Sequence, residues 1–223
     1  MLRQNVEEDG MNPKSLFLRL PMAAAGAMAL LGLALGPASA AGTALNLDCR
    51  ATPPVGSAQT FDLGAGVDAT APDTVPSGHA FTVALATDPM TVPTSVSGYT
   101  VKSIKDITLR APIPAHATLT GTHLSGGSGI GSGTPEVTVD SDEIVMTVPG
   151  PISGGRTFTL PVLTLDLTAG AAGNTVETRL SGTGYDSPGL TFTARVPVVF
   201  VTVSVPTACY PSPNPVLSST AID

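Results

Sequence analysis

The sequence predicts an all-β fold of nine or ten short strands, in the pattern of a sandwich or barrel. Two observations support this prediction. Valine and threonine dominate the chain after residue 40, and β-branched side chains suit the pleated, half-buried surface of a sheet. The chain also contains 24 glycines and 21 prolines, and because these residues mark turns, the strands between them must be short.

Alternation of apolar and polar residues is clearest in residues 99–114. Ile107, Leu109 and Ala111 share one face there with Ile113, as in a strand with one buried face. The other strand candidates in the first half of the chain are residues 44–49, 59–71, 79–86 and 117–124.

A hairpin is predicted over residues 137–148, because two alternating apolar arms flank the turn residues Asp140, Ser141 and Asp142. Just before it, the Gly/Ser-rich residues 125–133 are expected to form a flexible loop. This loop lacks the lysine of a P-loop and the spacing of a dinucleotide fingerprint, so no phosphate-binding role is predicted.

Two long strands with a shared irregularity are predicted in the second half of the chain. The apolar positions change parity within residues 157–167, and they change parity again beside Pro197 within residues 190–205. One extra residue in a β-bulge reverses the face of every later side chain. Both segments are therefore predicted to be bulged strands, of the kind that turn the corners of a sandwich.

Residues 1–40 are predicted to be a Sec-type signal peptide, which makes the protein secreted or resident in the cell envelope. The apolar stretch is shorter than the roughly 20 residues that a membrane-spanning helix needs, which favours cleavage over anchoring. The parts of the signal are Lys14 and Arg19 in the n-region, residues 20–35 in the h-region, and Ala38 and Ala40 at the cleavage site.

The charge distribution bears on both the translation start and the partners. Glu7, Glu8 and Asp9 precede the basic residues of the signal, which is poor signal chemistry, so we expect translation to start at Met11. The net charge is −7. An acidic, sparsely charged chain argues against nucleic acid and anionic membranes as main partners.

Cys49 and Cys209 are the only cysteines. In an exported chain such a pair is interpreted as a disulfide, although two buried thiols are the alternative. A bridge requires the two Cα atoms to approach to about 5.5 Å, so the first and last strands must be neighbours. This favours one domain over residues 41–209 rather than two in tandem. The Pro-rich residues 210–223 are expected to be a loosely held tail.

Three segments carry a family resemblance: residues 47–56 (LDCRATPPVG), 71–85 (APDTVPSGHAFTVAL) and 207–215 (TACYPSPNP). They resemble secreted immunoglobulin-like β-sandwich domains of actinobacteria. In those domains a Pro-x-x-Val-x-x-Gly-x-x-Phe turn and strand follows the opening segment, matched here by Pro72, Val75, Gly78 and Phe81. The resemblance implies an immunoglobulin-like sandwich in which a cysteine near the first strand pairs with one near the last. It also implies an exported envelope module, with no known catalytic residues to carry over.

The sequence predicts no catalytic, cofactor-binding or metal-binding residues. A zinc site needs three or four converging ligands, so the histidines are expected to be exposed or in turns. The densest acidic cluster lacks the pattern of a calcium loop, and no serine lies in Gly-x-Ser-x-Gly. The histidines are His79, His116 and His123, and the acidic cluster consists of Asp140, Asp142 and Glu143.

The leading hypothesis for function is therefore a non-catalytic module with a binding or structural role in the envelope or outside the cell. Its partner would be an envelope protein, a lipid or a glycan, and not nucleic acid. The alternative is a carrier of lipid or another small ligand in an apolar interior. A secreted hydrolase with a pair of carboxylates is less favoured, because no pair of acidic residues stands out.

Overall fold

The computed structural model describes residues 42–223. The predicted signal peptide, with Ala38 and Ala40, and the alternative start at Met11 lie outside the described residues. From residue 42 onward all regular secondary structure is β-strand, which confirms the predicted fold class. No described segment forms a helix long and apolar enough to cross a membrane.

Eighteen strands are present in the described residues, and several are only two residues long. In chain order they are β1 Thr43–Ala51, β2 Gln59–Thr70, β3 Thr74–Val75, β4 Ala80–Thr87, β5 Met90–Thr91, β6 Ser95–Val96, β7 Tyr99–Thr100, β8 Ser103–Pro112, β9 Ala117–Ser125, β10 Glu136–Asp140, β11 Glu143–Val148, β12 Ile152–Ser153, β13 Thr157–Phe158, β14 Val162–Ala169, β15 Thr175–Thr178, β16 Leu190–Val198, β17 Val201–Pro211 and β18 Ser218–Ile222.

Ten of these strands hydrogen-bond along one path, in the order β10-β11-β8-β16-β17-β1-β2-β4-β14-β9, with β12 added beside β8. The sheet curves until its two ends approach each other. Ile144 of β11, near one end, packs in the same buried cluster as Val83 of β4 and Leu165 of β14, near the other. The two layers that a sandwich packs together are therefore parts of one sheet, and the core lies on its concave side.

The predicted periodicity holds along the main strands. On β14, Leu163, Leu165 and Leu167 are buried while Thr164 and Asp166 are partly exposed, because successive side chains on a strand point to opposite faces. The predicted hairpin is also present: β10 and β11 pair antiparallel, with Asp140 opposite Glu143 across a two-residue loop.

The predicted disulfide is present. Cys49 on β1 and Cys209 on β17 are opposite each other in register, with their Cα atoms 4.1 Å apart, and both are fully buried. The bridge spans 160 residues of sequence and joins neighbouring strands near the two ends of the chain. This is the arrangement expected from the cysteine positions, except that β18 follows β17.

The bulged-strand prediction for residues 157–167 is wrong, because the chain there forms two separate strands. β13 ends at Phe158 and pairs with β5, whereas β14 begins at Val162 and pairs with β4 and β9. Pro161 lies in the break and has no N–H to donate to a ladder. The parity of the apolar positions changes because the chain breaks between two strands here, and not because one residue is inserted.

The bulged-strand prediction for residues 190–205 is also wrong, because the chain reverses direction there. β16 and β17 form an antiparallel hairpin in which Val198 pairs with Val201 across the two-residue loop Val199-Phe200. A two-residue loop pairs even positions of the first arm with odd positions of the second, which produces the same change in parity. The prediction failed because the loop contains none of the usual turn residues.

The tail is integrated into the fold, contrary to the expectation that residues 210–223 are loosely held. β18 pairs with β15 and, in parallel, with β3. Leu217, Thr220 and Ile222 are buried. The folded region therefore extends essentially to the end of the chain, well beyond Cys209.

The Gly/Ser-rich segment is a loop, as predicted, but it is fixed to the body of the protein. Ser128 and Thr159 exchange two backbone hydrogen bonds of 3.0 and 2.9 Å, and Ile130 packs against the main core cluster. Gly129 has a φ of +67°, and a Cβ there would lie 2.6 Å from the carbonyl oxygen of Thr157. Glycine is required at this position for the loop to approach so closely.

Candidate functional site

The concave side of the sheet encloses an apolar cavity of about 730 Å³. Strands β1, β2, β8, β16 and β17 supply about half of its lining, and much of the remainder comes from residues 53–57, between β1 and β2, from residues 90–101, between β4 and β8, and from residues 158–163. Well-packed protein interiors contain few voids larger than a water molecule, whereas ligand pockets measure roughly 300–1,000 Å³. By volume this cavity belongs with ligand sites.

The disulfide lies between residues that line this cavity. Adjacent strands place one side chain each in a row across the sheet, and residues opposite each other in register share a face. Cys49 and Cys209 sit in the middle of one such row, and the side chains on either side of them line the cavity. From one end to the other the row is Met146, Leu109, Leu190, Cys209, Cys49 and Phe61.

The cavity is long relative to its volume. Alternate residues of β2 line it from Gln59 to Val67. At about 3.3 Å per residue, these eight steps along the strand correspond to about 26 Å. Alternate residues of β16 line it over the same number of steps, from Leu190 to Val198. The site is therefore an elongated channel rather than a round pocket.

Polar groups in the lining are sparse, and two of them have no partner in the described residues. Thr87 and Thr207 line the cavity, and the Oγ1 atom of each is buried without a hydrogen bond. Arg179 also lines the cavity, but its guanidinium donates to the carbonyl oxygen of Asn214 at 2.9 Å and to Glu177 at 3.0 Å. The two hydroxyls are the polar groups that a bound ligand would satisfy.

The opening of the cavity is marked by lining residues that are also strongly exposed: Val55, Tyr99, Val198 and Val201. Val55 lies in the β1–β2 loop, Tyr99 in β7, and the two valines at the end of the β16–β17 hairpin. Together with Val199 and Phe200 of the hairpin loop, we call these six residues the apolar rim. Because the opening is apolar, an apolar ligand can enter the cavity without passing a barrier of charged or polar side chains.

The three histidines do not converge. His123, on β9, lies with its Nε2 2.7 Å from Asp166 on the neighbouring strand β14. His116 occupies a turn with a φ of +64°, and His79 borders the turn before β4, with its Nδ1 3.3 Å from the carbonyl oxygen of Ser77. These positions agree with the expectation of exposed or turn histidines.

The acidic cluster does not converge either. Asp140 ends β10 and Asp142 lies in the tight β10–β11 turn, while Glu143 accepts hydrogen bonds from Arg110 at 3.3 Å and from Ser181 at 2.7 Å. Among the described residues, no group of three His, Cys, Asp or Glu side chains could hold a metal ion. The geometry of this cluster is that of a turn joined to its neighbours by hydrogen bonds.

A small polar and aromatic cluster covers the outer face of the sheet near the disulfide. The guanidinium of Arg50 lies 4.5 Å from the ring centre of Tyr185 and 3.2 Å from Asp186. Tyr185 packs edge-on against Tyr210, with ring centres 5.1 Å apart. Asp48, opposite Tyr210 on β1, raises the pKa of the Tyr210 phenol, chiefly by accepting its hydrogen bond.

Sequence reasoning anticipated an apolar interior only as an alternative, and it named no residue that lines the cavity for that role. Strand alternation shows that one face is apolar, but the pattern is the same whether that face packs on a core or borders an empty channel. One stretch of the sequence could have indicated this apolar site: residues 196–205 contain only Val, Pro, Phe, Thr and Ser, with no charge.

No protein-family model matches the sequence, and no curated protein does so either. Among solved structures, the fold is similar to the crystal structure of a "Putative membrane anchored protein" from Corynebacterium diphtheriae, with a TM-score of 0.55 and 15% sequence identity. The match covers 82% of this chain but 38% of that one.

This likeness concerns the fold alone, since the identity is low. The chain spans less than half the length of the corynebacterial protein. The match links the fold to an actinobacterial protein described as membrane-anchored, which is compatible with the envelope setting expected from the sequence.

Proposed function

We propose that this protein is a non-enzymatic, extracytoplasmic binding protein that holds a lipid acyl chain, or a similarly elongated apolar ligand, in the cavity of its curved sheet. The observation that carries the proposal is the cavity itself, about 730 Å³ in volume and lined almost entirely by apolar side chains. Moving apolar surface from water into such a site is favourable by roughly 25 cal/mol per Å².

The shape of the cavity favours an acyl chain over a compact ligand. A bilayer core is about 30 Å thick, so one lipid chain spans about 15 Å. The channel extends for about 26 Å along β2 and β16, so an extended acyl chain fits along its length. The buried hydroxyls of Thr87 and Thr207 provide two points at which oxygen atoms of a ligand can be hydrogen-bonded.

The envelope setting is supported by independent features. A disulfide is typical of proteins from oxidising compartments, and the sequence predicts export. The fold is shared with an actinobacterial protein described as membrane-anchored. Lipids and other long apolar molecules must cross aqueous space in an envelope, which gives a binding protein of this kind a purpose.

A purely structural or protein-binding role, the leading hypothesis from the sequence, is the second candidate. It is supported by the absence, among the described residues, of a group of three side chains that could hold a metal ion. It gives no reason, however, for a cavity of this size.

Displacement of a fluorescent fatty acid from the purified protein tests the proposal. Ala194, a buried lining residue on β16, is replaced by phenylalanine to fill the channel. Its neighbour Thr193, on the opposite face of the strand, is replaced by phenylalanine as the matched control. We expect saturable binding by the parent and by Thr193→Phe, and at least tenfold weaker binding by Ala194→Phe. Equal binding by all three, or none by the folded parent, would refute the proposed site.

A further inference from the structure

The hairpin loop exposes large apolar side chains at the opening of the cavity. Phe200 is 97% exposed and Val199 is 86% exposed, and across the opening Val55 is 87% exposed. The last backbone hydrogen bonds that tie the hairpin to its neighbours are made at Arg195 and Pro206. The residues between them pair only with each other, so the hairpin projects beyond the adjacent strands.

The loop residues are poorly suited to a turn in water. Val199 has a φ of +50°, a backbone conformation that is unfavourable for a β-branched residue. Gly, Asn or Asp would adopt it more readily and would also be hydrated. The sequence instead places two apolar residues at the point of greatest exposure. Contact with an apolar environment explains why this exposed loop carries apolar side chains.

Three segments form the surroundings of the opening, and each lacks charge. They are residues 51–61, 92–101 and 196–205, which contain no Asp, Glu, Lys, Arg or His. Each contributes at least one member of the apolar rim. Any surface that meets this end of the protein therefore meets an uncharged face first.

Basic residues border this uncharged face on one side. The Lys102 amide donates to the Arg195 carbonyl at 2.8 Å, the Gly154 amide donates to the Lys102 carbonyl at 3.0 Å, and the Val92 amide donates to the Arg156 carbonyl at 3.0 Å. Lys102, Arg156 and Arg195 thus lie along one backbone network beside the opening, and we call them the basic trio.

The basic trio also differs from the other cations. Among the described residues, Arg50, Lys105, Arg110 and Arg179 each form an ion pair with a carboxylate, whereas no member of the trio does. The basic side chains that form no ion pair therefore lie beside the opening of the cavity.

We propose that the apolar rim inserts into the surface of a lipid bilayer containing anionic headgroups, with the basic trio at headgroup level. Apolar side chains that enter the boundary between headgroups and acyl chains, flanked by Lys and Arg, are the features of proteins that lie on membranes. Because the rim surrounds the cavity, insertion joins the channel directly to the hydrocarbon, and an acyl chain passes between them without crossing water.

The net charge of −7, which by itself argues against an anionic membrane, does not oppose this orientation. Charges more than about 8–10 Å from the bilayer are screened at physiological ionic strength, so the nearby trio dominates the interaction. This inference goes beyond the proposed function and shares only the cavity opening with it.

The sequence contains no tryptophan, so Phe200→Trp places a single fluorescent reporter in the rim. Val139→Trp, at an exposed position of β10 that does not line the cavity, is the matched control. With vesicles of phosphatidylglycerol and phosphatidylcholine, we expect a blue shift at position 200 that brominated lipid quenches, and no change at position 139. No shift at position 200, or equal shifts at both positions, would overturn the proposal. So would a shift that appears with rising protein concentration alone, since it would assign the rim to a second copy of the chain.

Four further single substitutions locate the interaction. Phe200→Asp should abolish vesicle binding while leaving the thermal unfolding temperature unchanged. Lys102→Gln, Arg156→Gln and Arg195→Gln should each weaken binding to anionic vesicles about fivefold. Ala194→Phe should still insert, and Phe200→Asp should still bind a water-soluble fluorescent fatty acid, so the docking surface and the cavity can fail independently. Unchanged vesicle binding by Phe200→Asp would contradict the docking proposal.

Discussion

Cys49 and Cys209 are joined across the central strand pair of the curved sheet, in the row of side chains that borders the cavity. The bond therefore connects the first strand of the chain to the strand that leads back from the projecting hairpin. The same covalent link holds the cavity wall and the base of the hairpin in register.

We expect the double substitution Cys49→Ala with Cys209→Ala to lower the free energy of unfolding substantially. Closing a loop that spans 160 residues constrains the unfolded chain by about 5 kcal/mol in the chain-entropy model. Urea denaturation measures the change. The parent in reductant should match the variant, and a loss below about 1 kcal/mol would contradict a stabilising bridge.

The sequence sufficed to predict the features that depend on local chemistry. Paired cysteines in an exported chain required neighbouring strands, and the Asp140-Ser141-Asp142 turn predicted a hairpin. The β16–β17 hairpin could not be predicted, since Val199-Phe200 lacks turn residues and was interpreted as part of a strand. The cavity could not be predicted either, because it depends on how far the sheet curves, which no single strand encodes.

Thr207→Val should leave the free energy of unfolding of the ligand-free protein unchanged or raise it by about 1 kcal/mol, because its buried hydroxyl has no partner. Thr220→Val is the matched control. Its equally buried hydroxyl donates to the Pro72 carbonyl oxygen at 2.7 Å, so losing it should cost about 1–3 kcal/mol. Denaturant unfolding of both variants after lipid removal measures the difference. Equal destabilisation by the two would show that Thr207 Oγ1 is satisfied in solution.

Ile222→Ala should destabilise the protein by about 2–5 kcal/mol, since it removes a buried side chain from the cluster formed with Val75 and Val176. The exposed neighbour Ser219 provides the control, and Ser219→Ala should change stability by less than about 0.5 kcal/mol. Thermal and urea unfolding check both values. A negligible effect of Ile222→Ala would restore the expectation of a loosely held tail.

Val199→Asn should stabilise the protein by about 1 kcal/mol, because Asn adopts a positive φ more readily than Val. Val198→Asn, one residue earlier in the strand, should give no such gain. Unfolding measurements report stability, and vesicle binding measured in parallel should fall for Val199→Asn. A gain in stability combined with a loss of vesicle binding would show that the loop residues serve docking rather than folding.

Asp48→Asn should lower the pKa of Tyr210 toward its ordinary value, because the charge and the hydrogen bond of the carboxylate hold that pKa above it. A raised native pKa stabilises the folded protein below the ordinary value, and this contribution is lost as the pH rises through the native pKa. Phenolate absorbance, resolved by comparison with Tyr210→Phe, follows the titration. An unshifted Tyr210 titration in Asp48→Asn would contradict the assigned cause.

Native mass spectrometry of the exported, disulfide-bonded protein tests the central claim most directly. The account predicts one bound acyl-bearing molecule per chain, released by organic extraction, restored by incubation with lipid, and absent from Ala194→Phe but present in Thr193→Phe. A parent protein that shows only the mass of the bare chain, both as isolated and after incubation with lipid, would contradict it.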